Sequence, residues 1–374
     1  MSGTSLDGLD IALCNISGSG TKTKVIIQKF VTVAYNSEIR DKILTVFAKP
    51  NIEFKRLSEL NAWIALRHAD MILSALRKWK VKPASIDVIA SHGQTVFHAP
   101  MAVTPGVSLN STLQIGDGDH IAVRTGIITL SDFRQKHIAG GGEGAPLAVY
   151  GDYFLFSKKN EDRILLNIGG IGNFTWLPGS LKTDKIFVTD TGPGNTMIDQ
   201  AMRAYFATPF DKDGVTGMMG SVSQPLLARL KENQFFSLPF PKTTGPEQFN
   251  LEYLREAQQE SGTGSISKED IIATLTRFSA ETISEAIRRT AGSRPQRIFL
   301  SGGGAHNPLL ARWISELLPN CKFSTTSDLG INGDAKEAVL FAVLANESLT
   351  GGSTNFGKRK KVPSVSMGKV SFPK

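Results

Sequence analysis

The sequence predicts an α/β protein of two domains with a ligand cleft between them. Three observations carry this. Strand-type and helix-type runs alternate through most of the chain. Its 374 residues exceed the roughly 250 to 300 at which one core stops growing. The 36 glycines cluster in short loops after apolar strands, where α/β folds keep ligands. Hydrophobic residues at 41% and charged residues at 20% fit a globular chain. No apolar run reaches the ~20 residues of a membrane span, and the N-terminus has no signal-peptide pattern. Cys14 and Cys321 provide neither a bridge framework nor a metal pair, so a reduced, cytoplasmic setting is expected.

Much of the net charge of +8 lies near one end. Residues 351–374 contain Lys358, Arg359, Lys360, Lys361, Lys369 and Lys374 and no acid. Such a stretch reads as a solvated tail, so neither nucleic acid nor a membrane surface is expected as a partner.

In chain order, residues 9–16 and 25–33 read as strands. Residues 57–80 place Leu57, Leu60, Ile64, Met71 and Ala75 at helical spacing with His68 on the same stripe, a position that suits a satisfied core histidine. A buried strand at 87–91 ends at Ser91-His92-Gly93-Gln94-Thr95, and another at 127–130 ends at Asp132-Phe133-Arg134. Two apolar runs flank Gly169-Gly170, a hairpin signal. Strand 186–189 runs into Asp190-Thr191-Gly192-Pro193-Gly194-Asn195 before a helix. Ser267 and Asp270 open a helix that stops at Gly292. Strand 297–300 leads to Ser301-Gly302-Gly303-Gly304, with Asn307 and Pro308 as N-cap and first residue of the next helix. A last helix starts at Lys336. The two halves are alike, each opening with a Gly-turn hairpin.

A Walker loop, a Rossmann fingerprint before a helix and zinc-type His or Cys pairs are all absent from the sequence. Three other loops remain. Gly3, Thr4, Ser5, Asp7 and Gly8 combine small residues, hydroxyls and a carboxylate. Asp190, Gly192 and Gly194 repeat that chemistry in the second half. Gly302, Gly303 and Gly304 provide a flat surface for a nucleotide. Consecutive amides in such loops can face phosphate oxygens, and a carboxylate can hold Mg²⁺ or take a proton. A local alternative for Asp190 is a turn-capping aspartate.

Seven ordered motifs resemble the anhydro-N-acetylmuramic acid kinases: Met-Ser-Gly-Thr-Ser-Leu-Asp-Gly-Leu-Asp at 1, Ser-His-Gly-Gln-Thr at 91, Asp-Phe-Arg at 132, Gly-Glu-Gly-Ala-Pro-Leu at 142, Asn-Ile-Gly-Gly-Ile-Gly-Asn at 167, Asp-Thr-Gly-Pro-Gly-Asn at 190 and Ser-Gly-Gly-Gly-Ala-His-Asn at 301. The resemblance implies a two-domain actin-like ATPase fold of ribonuclease H-like topology with an interdomain cleft. The expected domains are 1–126 with 338–360, and 127–337, followed by a basic tail at 361–374.

The resemblance also implies cleavage of the 1,6-anhydro bond of 1,6-anhydro-N-acetylmuramic acid and phosphorylation of its O6 by ATP with Mg²⁺, during bacterial peptidoglycan recycling, in a homodimer. Asp190 is then the general base and also touches the sugar. His92, Gln94, Thr95, Arg134 and Glu337 line the sugar site, and Asp7 and Glu337 hold the metal. The ATP set is Gly3, Thr4, Ser5, Asp7, Gly8, Gly170, Gly192, Gly194, Gly302, Gly303, Gly304 and Asn307. The domains are expected to close over both substrates. His306 reads as structural. The segment Lys242-Thr243-Thr244-Gly245 resembles a family segment, but its residues indicate no role.

Two departures stand out. Family members carry a short apolar strand ahead of the motif that here starts at residue 1. Without it the middle of the first sheet is expected to be open and the Asp7 loop looser, and a start assigned too late is the expected reason. His137 and Glu143 replace the commoner Asp and Gln, which bears on sugar selectivity. The rival readings are a kinase for another anhydrosugar such as levoglucosan, and a nucleotide-binding scaffold without turnover.

Overall fold

The computed structural model describes every residue except 4, 102–103, 293, 332–334, 352–354 and 357–361. Thr4 and basic residues 358–361 therefore lie outside the described residues. The chain divides into two compact units, Met1–Phe156 with Asp334–Lys374, and Ser157–Gly333.

Numbered in chain order, the first unit holds β1 (Gly8–Ser17), β2 (Lys24–Ala34), α1 (Ser37–Leu44), α2 (Phe54–Lys78), β3 (Ile89–Ala90), β4 (Gln94–Ala99), β5 (Ser111–Ile115), α3 (Gly118–Thr125), β6 (Thr129–Ser131), α4 (Phe133–Ala139) and α5 (Ala148–Phe156), and later α12 (Lys336–Thr350) and β12 (Lys369–Ser371). β1 and β2 pair antiparallel from Gly8↔Ala34 to Ser17↔Lys24. α2 lays Leu60 and Ile64 into a core shared with Leu6, Leu9, Ile39 and Ile115. Its period of 3.6 puts those residues on one face.

The expected domain limit at 126 moves to Phe156. β6 pairs with β3 on one side and β12 on the other, and α5 packs on α12, so 127–156 cannot leave this unit. The expected basic tail is likewise corrected over its described part. β12 closes an edge of β6, Lys369 pairs with Asp132 at 3.0 Å, and the Tyr150 hydroxyl donates to the Pro363 carbonyl.

The second unit holds β7 (Arg163–Ile168), β8 (Ile171–Leu177), β9 (Phe187–Pro193), α6 (Thr196–Phe206), α7 (Val215–Met219), α8 (Gln224–Leu230), α9 (Leu251–Glu260), α10 (Lys268–Ala291), β10 (Arg297–Ser301), α11 (Pro308–Leu317) and β11 (Lys322–Thr325). Its sheet runs β9-β8-β7-β10-β11, antiparallel as far as β7 and parallel beyond it. That is the strand order of the ribonuclease H-like fold. α10 is capped as the sequence predicts, Ser267 Oγ accepting from the Asp270 amide and Gly292 closing the far end at φ +64°. One of its faces meets the sheet through Ile283 and Ile287, and the other meets α6, α8 and α9 through Ile272, Leu275 and Phe278.

In the second unit β7 fills the place between an antiparallel neighbour, β8, and a parallel one, β10. In the first unit the matching place, between β1 and β3, is a cavity of about 950 Å³ walled by Leu9–Ile16, His68, Ile72 and Val88–Ser91. Ser2 enters one end of it, bridging Leu9 antiparallel and Gln94 parallel. The slot thus has the directions of a sheet strand and unpaired edges on both sides, an arrangement that takes up extended chain. Prefixing the chain with an apolar, strand-forming heptapeptide is expected to raise the melting temperature by roughly 5 °C and to slow amide exchange in β1. A Gly/Ser prefix of equal length is expected to do neither, and equal effects of the two would contradict a strand slot.

Candidate active site

In the first unit the chain turns back between Ser2 and β1. Leu6 takes φ +57° and drives its side chain into the core, where it is buried. A left-handed leucine is strained and persists only where packing fixes it. The turn is tied down by a one-way relay. His68 Nε2–H donates to the Tyr35 hydroxyl (2.7 Å), which donates to Ser2 Oγ (2.8 Å), which donates to Gln94 Oε1. Gln94 Nε2 returns to the Gly3 and Thr95 carbonyls, both at 3.1 Å. His68 is therefore the satisfied core histidine expected. Gln94 is fully buried and both ends of its amide brace the turn. Asp7 and Ser5 stay exposed. The Asp7 carbonyl accepts from the Tyr35 amide, and Gly8 lies so close to β2 that a Cβ would sit 2.5 Å from the Val33 carbonyl.

Beside the turn, Arg134 Nε donates to His92 Nε2 at 2.8 Å and its Nη1 to the Gly144 carbonyl at 2.8 Å. His92 keeps its proton on Nδ1, facing the Gly93 carbonyl at 2.9 Å, and lies on Phe341. Burial, then the Arg134 guanidinium, push His92 down to about 3. It is a neutral orienter of Arg134 rather than an acid or base at neutral pH. Burial lowers Arg134 from its usual value, and Glu337, exposed in the first turn of α12, offsets part of this. Thr95 accepts a longer bond from Gln114 Nε2 at 3.3 Å. His137, fully buried, accepts the Gly144 amide at 2.9 Å and sits against Gly142, which holds the 140–144 loop. The structure thus brings Ser2, Gly3, His92, Gln94 and Arg134 together, with Glu337 near enough to act on Arg134 through its charge.

In the second unit three backbone turns meet. The Gly194 and Thr196 amides donate to the Gly170 carbonyl (2.8 and 3.0 Å) and the Asn195 amide to that of Gly169 (2.8 Å). A Cβ on Gly194 would lie 2.4 Å from the Gly169 oxygen, and one on Gly304 would lie 2.3 Å from Ile168. Gly302 turns at φ +83° against Ile168, and Gly192 at φ +127° against Phe236. Gly170, Gly302 and Gly303 are exposed, whereas Gly192, Gly194 and Gly304 are buried in contacts with Phe236, the Gly169 carbonyl and Ile168. Asn307 is the helix cap the sequence predicts: its Oδ1 accepts from the Leu309 and Leu310 amides.

Asp190 lies at a bulge. Gly172 pairs with Gly192 and Asn173 with Asp190, which leaves Thr191 unpaired in the ladder. A bulge of this kind re-aims side chains. The Asp190 amide donates to the Lys242 carbonyl (2.9 Å), and Oδ2 accepts from the Thr244 amide (2.9 Å). Burial raises the carboxyl above the usual aspartate range, and the Thr244 bond pulls it partly back. Sequence reasoning gave Lys242 and Thr244 no role. The signal was the Lys-Thr-Thr-Gly segment itself, but its partner strand lies some fifty residues away.

The second unit joins a ribonuclease H-like strand order to glycine-rich turns and one half-buried carboxylate, and comparison with known proteins makes the chain a sugar kinase. The chain belongs to the anhydro-N-acetylmuramic acid kinase family, whose model matches residues 1–361. It is similar to the anhydro-N-acetylmuramic acid kinases of Pseudoalteromonas atlantica (51% identical, covering 100% of this chain and 94% of that one) and Caldanaerobacter subterraneus subsp. tengcongensis (38%, covering 100% and 96%). Solved structures match only loosely, among them the activator of the 2-hydroxyisocaproyl-CoA dehydratase from Clostridium difficile at 14% identity and TM-score 0.33, over 61% of this chain and 71% of that one.

Because folded His92 refuses a proton down to about pH 3 while an unfolded histidine takes one near 6.5, its contribution to stability is lost as pH falls from about 6.5. His92→Gln is expected to lose about 2 kcal/mol less between pH 7 and pH 4.5 than the wild type, read from urea midpoints. Equal losses would show that His92 is charged in the folded state.

Proposed function

We propose that the chain hydrolytically opens 1,6-anhydro-N-acetylmuramic acid and phosphorylates its O6 with ATP, giving N-acetylmuramic acid 6-phosphate for peptidoglycan recycling in the bacterial cytoplasm. The observation that carries this is the Asp190 carboxylate, half-buried at the bulged end of β9 and continuous with Gly192 and Gly194. Asp190 takes a proton from water whose oxygen attacks the anomeric carbon. The bond from that carbon to O6 breaks, and O6 attacks the γ-phosphorus as ADP leaves. Within the second unit the exposed Gly170, Gly302 and Gly303 suit phosphate oxygens, while the Gly194 amide is taken by the Gly170 carbonyl. Arg134, aimed by neutral His92, suits sugar oxygens in a way lysine would not.

Asp7 and Glu337 would hold Mg²⁺. Among the described residues no three His, Cys, Asp or Glu side chains gather into a metal cluster. Two exposed carboxylates fit an ion that keeps water and phosphate oxygens as most of its ligands. When bound, the ion neutralises phosphate charge. Among the described residues no helix is long and apolar enough to cross a membrane. A homodimer is the expected assembly, to be read by sedimentation.

Incubation with Mg-ATP and the anhydromuramic sugar is expected to yield a product heavier by water and phosphate, with levoglucosan and N-acetylglucosamine left unchanged. Turnover of levoglucosan instead would reassign the substrate. Asp190→Asn is expected to lower kcat about 10² to 10⁴-fold while ATP still binds. A base must be deprotonated, so kcat/KM should fall with decreasing pH through a pKa above that of ordinary aspartate. The same shift means the charged carboxylate costs stability at neutral pH, because the folded state holds the proton more tightly than the unfolded one. D190N should therefore melt no lower than wild type at pH 7, and a clearly lower melting temperature would argue for a structural Asp190.

A further inference from the structure

β9 is an edge strand of its sheet, and the segment Lys242–Thr244 lies along its outer side. Four contacts join them, one of which runs from the Thr189 hydroxyl to the Lys242 carbonyl (3.2 Å). The Asp190 amide donates to the Lys242 carbonyl (2.9 Å), the Lys242 amide donates to Thr189 Oγ1 (3.0 Å), and the Thr244 amide donates to Asp190 Oδ2 (2.9 Å). Both the main chain and one carboxylate oxygen of Asp190 are set by this short stretch.

The stretch is held from behind by the Lys242 side chain. Its residue is 6% exposed, and its ammonium donates to the carbonyls of Phe235 (2.7 Å) and Phe236 (3.1 Å). The same nitrogen lies 4.2 Å from the centre of the Phe235 ring and 5.3 Å from that of Phe240. No carboxylate pairs with it among the described ion pairs. The other charge facing this turn is Arg289 from α10, which donates to the Phe236 and Leu238 carbonyls and lies over Phe240. Two cations therefore meet one set of carbonyls and aromatic faces. Burial, then Arg289, push Lys242 down to about 8. An ammonium in such a place is costly, and packing alone would be served better by methionine. What the ammonium adds is a directional tie from the 235–240 turn to the backbone that carries Asp190.

We propose that Lys242 is a positioning residue for Asp190: its ammonium, anchored on the Phe235 and Phe236 carbonyls, fixes the 242–244 backbone that sets the Asp190 main chain and Oδ2. The proposal rests on Asp190 being the general base. A displacement on the order of 1 Å at a reacting group can cost ~10²-fold in rate.

The test compares Lys242→Met, which keeps length and apolar packing, with Lys242→Arg, Thr189→Val and Asp190→Asn in the full chain. K242M is expected to lower kcat about 30 to 100-fold, with KM for ATP and sugar within about twofold, and to move the acid limb of kcat to higher pH as the Thr244 bond loosens. K242R is expected to recover part of the rate, since it keeps a donor to the two carbonyls. In the D190N background K242M should cost no further rate. If K242M fails to fold by circular dichroism, T189V carries the test, because it removes the oxygen that receives the Lys242 amide without touching the aromatic box. It should lower kcat in the same direction by a smaller factor. Activity retained in D190N would sink the base itself. An inactive D190N beside a K242M of unchanged kcat and unchanged acid limb would sink only the positioning role. A K242M whose loss falls mainly on KM would also overturn it.

Discussion

Contact between bare backbones is the constraint on which the second unit depends. The Gly194 amide reaches the Gly170 carbonyl at 2.8 Å, and a single methyl on Gly194 would sit 2.4 Å from the neighbouring Gly169 oxygen. Any side chain there would push the end of β9 away from the β7–β8 turn. Once these two turns touch, the start of α6 is fixed, because the Asn195 and Thr196 amides take the same two carbonyls. Ser279 of α10 then closes on the Gly194 carbonyl, so the central helix is registered against the same turn. Glycine is needed here for closeness, and only at Gly192 and Gly302 for backbone angle as well.

The carboxylate next to that contact is treated differently from the cation of the first unit. Asp190 sits where water is partly excluded, and only one backbone amide offsets the loss of hydration. The result is a carboxyl with a stronger hold on a proton than usual, which would suit the general-base role proposed for it. Arg134 is held in the opposite way: its partner is a histidine that burial keeps neutral, so the guanidinium is bonded without being neutralised. Had His92 been replaced by a carboxylate, the pair would cancel and the fork would have less charge to offer a substrate oxygen.

Much of this was legible in the sequence, for local reasons. The β7–β8 hairpin, the caps at Ser267 and Asn307 and the strand leading into Asp190 depend on residues within a few positions of each other, and local chemistry decides them. Asp190 itself stood out because a carboxylate, a threonine and two glycines followed an apolar run. What sequence reasoning missed depends on distant chain. Gln94 reads as a pocket residue, and its bracing of Ser2 and Gly3, more than ninety positions away, has no local signal. Lys242 has no visible role until the three phenylalanines and the edge of β9 are placed around it. The terminal lysines suggested a solvated tail because composition cannot show that Lys369 finds Asp132 and that β6 has an open edge to fill.

The likeness of the two halves, read in the sequence as repeated Gly-turn hairpins, acquires a sharper meaning in three dimensions. Each unit opens with an antiparallel pair and also holds parallel pairing, β3 with β6 in the first and β7 with β10 in the second, where β7 joins the two kinds by pairing with both. In the first unit Ser2 makes one bridge of each kind and then the cavity opens. Both the relay from His68 to Gln94 and the turn that carries Asp7 hang from that single residue. The order of the turn that carries Asp7 therefore depends on α2 as well as on Ser2, because the relay starts at His68 of that helix.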